Sequence, residues 1–261
     1  MPLDLAKWLI AATYGPIRPH GVTGACLNLM QQQRKLIMNE RILVATGRRS
    51  EVADLLSTHR VLRNTYALLS MTLLFSAAVA GTAIVLRLPS PGMLITLIGF
   101  YGLLFLTTKL RNSAWGIAAV FALTGFMGYT LGPIVSHYLS MPNGNQTVMM
   151  AMGGTGAVFL GLSAYALVSR KDFSFMAGFL MAGVLVAFLA SLAGVFLQIP
   201  ALSLAVSAAF VLLMSGMILF ETSNIIHGGE TNYIMATVSL FVSIYNLFLS
   251  LLQLLGFASS D

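Results

Sequence analysis

Charged side chains are scarce in this sequence: they make up 8% of its 261 residues, whereas 57% of the residues are hydrophobic. A soluble globular domain carries about 25% charged residues, so this chain has too little polar surface to cover a globule in water. Cysteine is also scarce, and the single Cys26 excludes an intrachain disulfide and a cysteine-rich metal cluster. The mean hydropathy of +0.87 instead indicates a protein dissolved in lipid.

Long apolar runs divide most of the chain. Their lengths are near the 20 residues or so that a helix needs to cross a bilayer, and they lack the strict alternation of barrel strands. Helices also satisfy every backbone hydrogen bond within the segment, as lipid requires. We therefore predict an all-α polytopic membrane protein with seven transmembrane helices, at about residues 65–86, 93–108, 114–136, 148–168, 173–197, 201–220 and 233–257.

The basic residues are distributed unevenly along the chain. Nine of the 14 Lys and Arg precede residue 64, and Lys109, Arg111, Arg170 and Lys171 follow the second and fourth spans. With an N-terminal tail in the cytoplasm, all of these lie on the cytoplasmic side and Arg87 alone lies opposite. We predict a cytoplasmic tail at 1–63 and a membrane domain at 64–258, with the C-terminus on the far side. The charge follows the topology and does not indicate a nucleic-acid partner.

An unusual concentration of polar residues follows the sixth span. Glu221 ends its apolar run, and a carboxylate in a membrane helix is costly enough to suggest a function. Two interpretations remain open: a Glu at the water interface, or a carboxyl group that faces the bundle interior and gates a proton or an ion. His227 and Glu230 are predicted to lie in a cytoplasmic loop, where they are candidates for a partner surface.

The seventh span has a polar face. Its polar residues are separated by steps of 4, 3, 4 and 3, which places them on one side of a helix: Ser239, Ser243, Asn246, Ser250 and Gln253. Lipid offers no partner for an amide, so this face points into the bundle and the seventh helix is predicted to be central. The face is either polar glue between helices or a wet pathway.

Enzymatic motifs are weak. Gly161 and Ser163 form a GxS pattern like that of rhomboid-type serine proteases, with His227 as a candidate base, but a nucleophile and its base must come within hydrogen-bond reach. The glycines at 153–156 follow no strand and precede no lysine, so they do not predict a nucleotide site. The H-E-x-x-H pattern of zinc sites is absent. We expect no catalytic residue, cofactor or structural metal.

Several long motifs resemble bacterial members of the Bax-inhibitor-one (TMBIM) superfamily. They are LLSTHRVLRNTY at 55–66, LPSPG at 88–92, TGFMGY at 124–129, SRKD at 169–172, FETSNIIHGGETNY at 220–233 and the LGFAS ending at 259. The resemblance extends from about Met38 to Asp261, and it suggests Met38 as the natural start. It implies the seven-helix Bax-inhibitor-one fold in a bacterial inner membrane, with the C-terminus in the periplasm.

The resemblance also implies a function. Such bacterial proteins associate with the membrane-anchored, ATP-dependent protease FtsH and its HflK–HflC partners. They are themselves degraded slowly from the N-terminal tail, and so restrain degradation of other membrane proteins. In this interpretation the tail is the segment that the protease engages, with Arg48, Arg49, Arg60 and Arg63 among its basic residues.

The wider superfamily implies an alternative, a pH-sensitive calcium or proton leak gated by two aspartates on the sixth and seventh spans. In this sequence the first acidic position corresponds to Glu221 and the second to Ser243, with Asn246 on the same face. A single carboxyl group cannot form the coupled acidic pair. Calcium also prefers six or more oxygen ligands, so the departure argues against calcium conduction more than against proton sensing.

Overall fold

Seven helices account for the membrane domain. The computed structural model describes residues 59–258, without the side chain of Val195, and the single residue Gln32. Within 59–258, seven helices are long and apolar enough to cross a membrane, which confirms the predicted fold class. They are α1 (His59–Val85), α2 (Met93–Leu110), α3 (Trp115–Leu139), α4 (Gly144–Ser169), α5 (Ala177–Leu197, preceded by a 3₁₀ turn at Ser174–Met176), α6 (Pro200–Ile226) and α7 (Tyr233–Ala258).

Three helices, α3, α4 and α6, extend further than hydropathy predicts. The sixth was expected to end near residue 220, but α6 continues to Ile226 because the polar residues beyond Phe220 are buried between helices. The interval 137–147 between the third and fourth predicted spans is reduced to 140–143, since α3 runs through Pro133 to Leu139 and α4 begins at Gly144. Hydropathy marks the part of a helix that lies in lipid, and not the residue at which the helix ends.

Helix α7 lies at the centre of the bundle, as predicted. It packs against α3, α4 and α6, and the hydroxyl of Thr237 contacts the carbonyl oxygen of Thr65 in α1 at 3.3 Å. Helices α2 and α5 are peripheral and pack mainly on α3 and α6, respectively. The core is formed around α7 by Leu240, Phe241 and Leu247, each at most 1% exposed.

Glycines bring α1 and α3 into close contact. A Cβ atom at Gly128 would collide with the backbone oxygen of Ser76, and one at Gly132 would lie 2.6 Å from the Cβ atom of Ala83. These two glycines form the GxxxG motif of α3, and small residues at this spacing allow membrane helices to approach closely. The helix that follows the N-terminal tail is therefore tightly packed on its neighbour.

Candidate functional site

Glu221 faces the interior of the bundle. It lies in α6, five residues before the helix ends, and its side chain is only 8% exposed. The hydroxyl oxygen of Ser243 in α7 lies 3.3 Å from Oε1 and 3.2 Å from Oε2 of Glu221, and it donates the hydrogen bond. The structure thus joins two of the three predicted gate residues.

This environment provides little support for a negative charge. A carboxylate buried away from water needs an ionic partner or several hydrogen-bond donors. Within residues 59–258, the carboxyl group of Glu221 receives its hydrogen bonds from one hydroxyl group. The arrangement can hold an acid that binds or releases a proton inside the bundle. Its three oxygen atoms fall short of the six to eight that calcium requires.

Asn246, the third predicted gate residue, takes part differently. Its side-chain amide donates to the carbonyl oxygen of Val242 in the same helix at 2.8 Å, and no hydrogen bond to Glu221 is formed among the described residues. Nearer the other end of α7, Gln253 bonds to two serines of α6: its amide nitrogen contacts the hydroxyl of Ser203, and its Oε1 accepts from Ser207 at 2.8 Å. At that end, the polar face of α7 forms hydrogen bonds that hold α7 against α6.

His227 connects α6 to the loop between α4 and α5. Its Nδ1 lies 2.8 Å from the carbonyl oxygen of Ser223, and its Nε2 lies 3.1 Å from that of Arg170. The hydroxyl of Ser223 donates to the carbonyl oxygen of Lys171 at 3.0 Å and accepts from the backbone N–H of Phe173 at 3.1 Å. His227 lies just beyond the last residue of α6, as expected for a loop residue. Its contact with Arg170 also links the end of α6 to the loop between α4 and α5.

Glu230 and Asn232 organise the start of α7. Glu230 Oε1 accepts a hydrogen bond from the backbone N–H of Asn232 at 2.8 Å. The side-chain amide of Asn232 donates to the carbonyl oxygen of Arg111 and to Oδ1 of Asn112, both at 3.0 Å. Two loops at this end of the bundle are thereby linked. A role of His227 and Glu230 in binding a partner remains a prediction.

Asp172 lies in the loop between α4 and α5, and no sequence motif had pointed to a role for it. Its carboxylate accepts a hydrogen bond from the backbone N–H of Ser174 at 2.8 Å, where the 3₁₀ turn begins. This bond, with a further one to the Ser174 side chain and the nearby His227, lowers the pKa of Asp172 below its ordinary value. An aspartate whose side chain accepts from the backbone N–H two residues on forms an Asx turn, which is a common local motif of this residue type.

The four arginines predicted for the protease-engaged tail fall in different places. Arg60 and Arg63 lie within α1, which is helical from the first residue of the described range, His59. Arg48 and Arg49 lie outside the described residues, as does the predicted start at Met38. The boundary between tail and membrane domain at residue 63 therefore remains a prediction, although the two arginines nearest to it are helical.

The candidate pair of a serine protease is not assembled. Ser163 is 3% exposed, and its hydroxyl has no hydrogen-bond partner in the described part of the chain. Both ring nitrogens of His227 contact backbone carbonyl oxygens of Ser223 and Arg170 instead. Nor do residues 59–258 bring together three His, Cys, Asp or Glu side chains that could hold a metal ion.

Comparison with known proteins identifies the family of this chain. The family model for the inhibitor of apoptosis-promoting Bax1 matches residues 58–260. The chain belongs to this family. The match includes all seven helices, and it confirms the resemblance found in the sequence motifs.

Relatives within the family are close. The chain is 62% identical over 208 residues to the modulator of FtsH protease YccA of Escherichia coli K12, covering 80% of this chain and 94% of that protein. It is equally similar, over the same length, to the inner membrane protein YccA of a second Escherichia coli strain. A membrane protein of Vibrio cholerae is 44% identical over 215 residues, which cover 82% of this chain and 96% of the relative. The chain is thus an inner-membrane protein with several membrane-spanning helices.

Proposed function

We propose that this protein binds an ATP-dependent membrane protease of the FtsH type and restrains it, which protects other membrane proteins from degradation. The observation that carries the proposal is the 62% identity to the modulator of FtsH protease YccA, over 94% of that protein's length. We place the N-terminal tail in the cytoplasm and the C-terminus in the periplasm, and we include HflK–HflC among the partners. In this proposal the protein acts by binding and not by catalysis.

The packing of α1 supports this role. A protease that pulls on the N-terminal tail reaches α1 first. This helix is held to α3 by the contact of Gly128 with Ser76, and to α7 by the bond from Thr237 to the backbone of Thr65. The phenol oxygen of Tyr66 also lies 3.3 Å from the hydroxyl of Thr222 in α6. Extraction of the first helix therefore requires several contacts to break together, which slows the protease.

Affinity purification of three tagged chains tests the proposal. The chains are the full sequence, a chain that begins at Met38, and a chain in which an initiator methionine precedes His59, so that all seven described helices are kept. We expect the protease and HflK–HflC to be recovered with the first two chains and lost with the third. Recovery with all three would refute dependence on the tail, and absence of the protease from all three would refute the proposed function.

A proton leak is the second candidate, because Glu221 is a buried carboxyl group in contact with a hydroxyl of the neighbouring helix. Intramembrane acids often mark proton paths. Proton flux into liposomes that contain the purified protein tests it, with Glu221→Gln as the comparison. A flux that this substitution abolishes supports the leak, and equal flux through both proteins excludes Glu221 as a gate.

A further inference from the structure

A cavity that the proposed function does not use lies beside the first turns of α1. Its volume is about 740 Å³, within the range of roughly 300–1,000 Å³ typical of small-molecule sites. Five of its lining residues belong to the first two turns of α1 and one to α4: His59, Arg60, Leu62, Arg63, Tyr66 and Leu167. The cavity therefore lies between two helices, at the end of the bundle where α1 enters the described structure.

Helical spacing explains why basic side chains converge here. Arg60 and Arg63 are three residues apart, and His59 and Arg63 are four apart, so the three project from one face of α1. None of the six lining residues is acidic. Two guanidinium groups thus share a cavity with a histidine, and the described lining residues include no carboxylate to balance them. Like charges at this spacing repel each other, and a bound anion offsets the repulsion.

Tyr66, one of the lining residues, is held in place by neighbouring helices. The phenol oxygen of Tyr66 contacts the hydroxyl of Thr222 in α6, and its ring centroid lies 6.1 Å from that of Phe159 in α4. Tyr66 is therefore held by two other helices before any ligand arrives. A preorganised wall lowers the entropic cost of binding.

The charges select the chemistry of the ligand. A guanidinium group presents a planar fork of N–H donors that matches two oxygens of a phosphate group. Two such groups on adjacent turns suit a phosphodiester, which carries one negative charge and two free oxygens. The described lining residues thus provide donors for a phosphate, and none of them carries a carboxylate that would favour a cation.

The apolar part of the lining indicates a lipid. Leu62 and Leu167 line the same cavity as the arginines, and the next residue of α4, Val168, is 85% exposed. Leu167 lies two residues before α4 ends, which places the cavity near the level of the lipid head groups. Basic pockets between transmembrane helices at this level bind anionic head groups. We infer that this cavity binds an anionic phospholipid through its phosphodiester, with Arg60 and Arg63 on the phosphate and the acyl chains beside Leu62 and Leu167.

Native mass spectrometry of the full chain tests the inference. The protein is purified in detergent and titrated with phosphatidylglycerol or with phosphatidylcholine, which has no net charge. We expect the unsubstituted protein to prefer phosphatidylglycerol by about tenfold, and R60Q/R63Q to lose that preference, as the loss of charge-assisted hydrogen bonds implies. The matched control is K109Q/R111Q, which removes two exposed cations at the same end and keeps the preference.

A second variant leaves both arginines in place. Leu167→Trp fills the cavity and should weaken phosphatidylglycerol binding without changing the charge. If R60Q/R63Q does not fold, this variant decides the matter: binding as strong as that of the unsubstituted protein overturns the inference. So does equal binding of the two lipids by the unsubstituted protein, or an equal loss of preference in K109Q/R111Q.

Competition with inorganic phosphate distinguishes a lipid from a free anion. Because the leucines contact the acyl chains, phosphatidylglycerol should stay bound in a large excess of phosphate. Displacement by phosphate at a similar concentration would show that the cavity binds the free anion and would overturn the lipid assignment. The readout is lipid binding, so it does not depend on whether the protein restrains a protease.

Discussion

The hydroxyl of Ser243 in α7 lies 3.2 and 3.3 Å from the two carboxyl oxygens of Glu221 in α6. One hydroxyl proton is thus shared by both oxygens of a buried acid. This contact joins two helices where the superfamily resemblance implies a pair of acids. By that resemblance a neutral donor, Ser243, stands where the second acid is expected, so the site can act as a structural contact without a coupled titration.

The first prediction concerns Ser243. Replacing it with alanine leaves the buried carboxyl group of Glu221 without that donor, and we expect a loss of about 1–3 kcal/mol in unfolding free energy. Chemical denaturation of the purified protein in detergent measures it. A double-mutant cycle with Glu221→Ala, which removes both carboxyl oxygens, isolates the coupling, and additive effects of the two substitutions would show that the contact contributes nothing.

The second prediction concerns Glu221 itself. Glu221→Gln retains the shape and one oxygen acceptor, so we expect the bond to Ser243 and the restraint of the protease to persist. The measurement is the half-life of a short-lived membrane substrate in cells that express each variant. A substrate degraded as fast as in cells without the protein would mean that the acid is needed, and would favour the proton leak.

The third prediction concerns His227. His227→Ala removes contacts to the carbonyl oxygens of Ser223 and Arg170, and a hydrogen bond donated by the ring to one of them is worth about 0.5–1.5 kcal/mol. We expect faster hydrogen exchange at the backbone amide of Phe173, which depends on the same network through Ser223. Lys171→Ala, which removes an exposed side chain in the same loop, is the control. If the amide of Phe173 exchanges at the same rate in both variants, His227 does not stabilise the loop between α4 and α5.

The fourth prediction is a pH dependence at Asp172. Its pKa is lowered in the folded protein, chiefly by the backbone N–H of Ser174. The stabilisation is therefore present at neutral pH, above the ordinary aspartate pKa, and is lost as the pH falls through the lowered value. Asp172→Asn keeps an acceptor oxygen and removes the charge. Hydrogen exchange at Ser174 should be slower in the unsubstituted protein than in the variant near pH 6. This difference should disappear in acid, and one that persisted there would contradict the assignment.

The number and order of the helices could be predicted because hydropathy reports directly on immersion in lipid. The polar face of α7 could be predicted as well, since its spacing alone places Ser243 and Gln253 on one side of a helix. The partner of that face could not be predicted from the spacing, and the pairing of Ser243 with Glu221 came from the family resemblance alone. Rotation of α6 about its axis determines whether Glu221 faces lipid, water or Ser243, and this rotation depends on packing against every neighbour.

The hydrogen bonds around His227 could not be predicted from the sequence for a different reason. Its acceptors are backbone carbonyl groups, which every residue carries, so no side-chain pattern marks them. His227 and Arg170 are also 57 positions apart in the chain. The basic cavity was hidden because hydropathy assigned Arg60 and Arg63 to a tail, and their convergence becomes visible only when the helix is seen to include them.

The last prediction concerns resistance to extraction. A Cβ atom at Gly128 would collide with the backbone of Ser76 in α1, whereas Gly161 in α4 has open space around it. The same change, Gly to Ala, thus forces α1 away from α3 at one site and disturbs nothing at the other. We expect Gly128→Ala to cost about 1–3 kcal/mol, the range for overpacked positions.

The consequence for function is kinetic. A protease that pulls from the N-terminus must detach α1, so looser packing of α1 should shorten the life of the Gly128→Ala protein several-fold in cells that contain the protease. The restraint on other substrates should fall with it, because a modulator that is degraded quickly frees the protease sooner. Pulse-chase labelling of Gly128→Ala and Gly161→Ala beside the unsubstituted protein measures both effects. Equal lifetimes for the two variants would show that the close contact of α1 and α3 does not limit degradation, and the slow step would then lie in engagement of the tail.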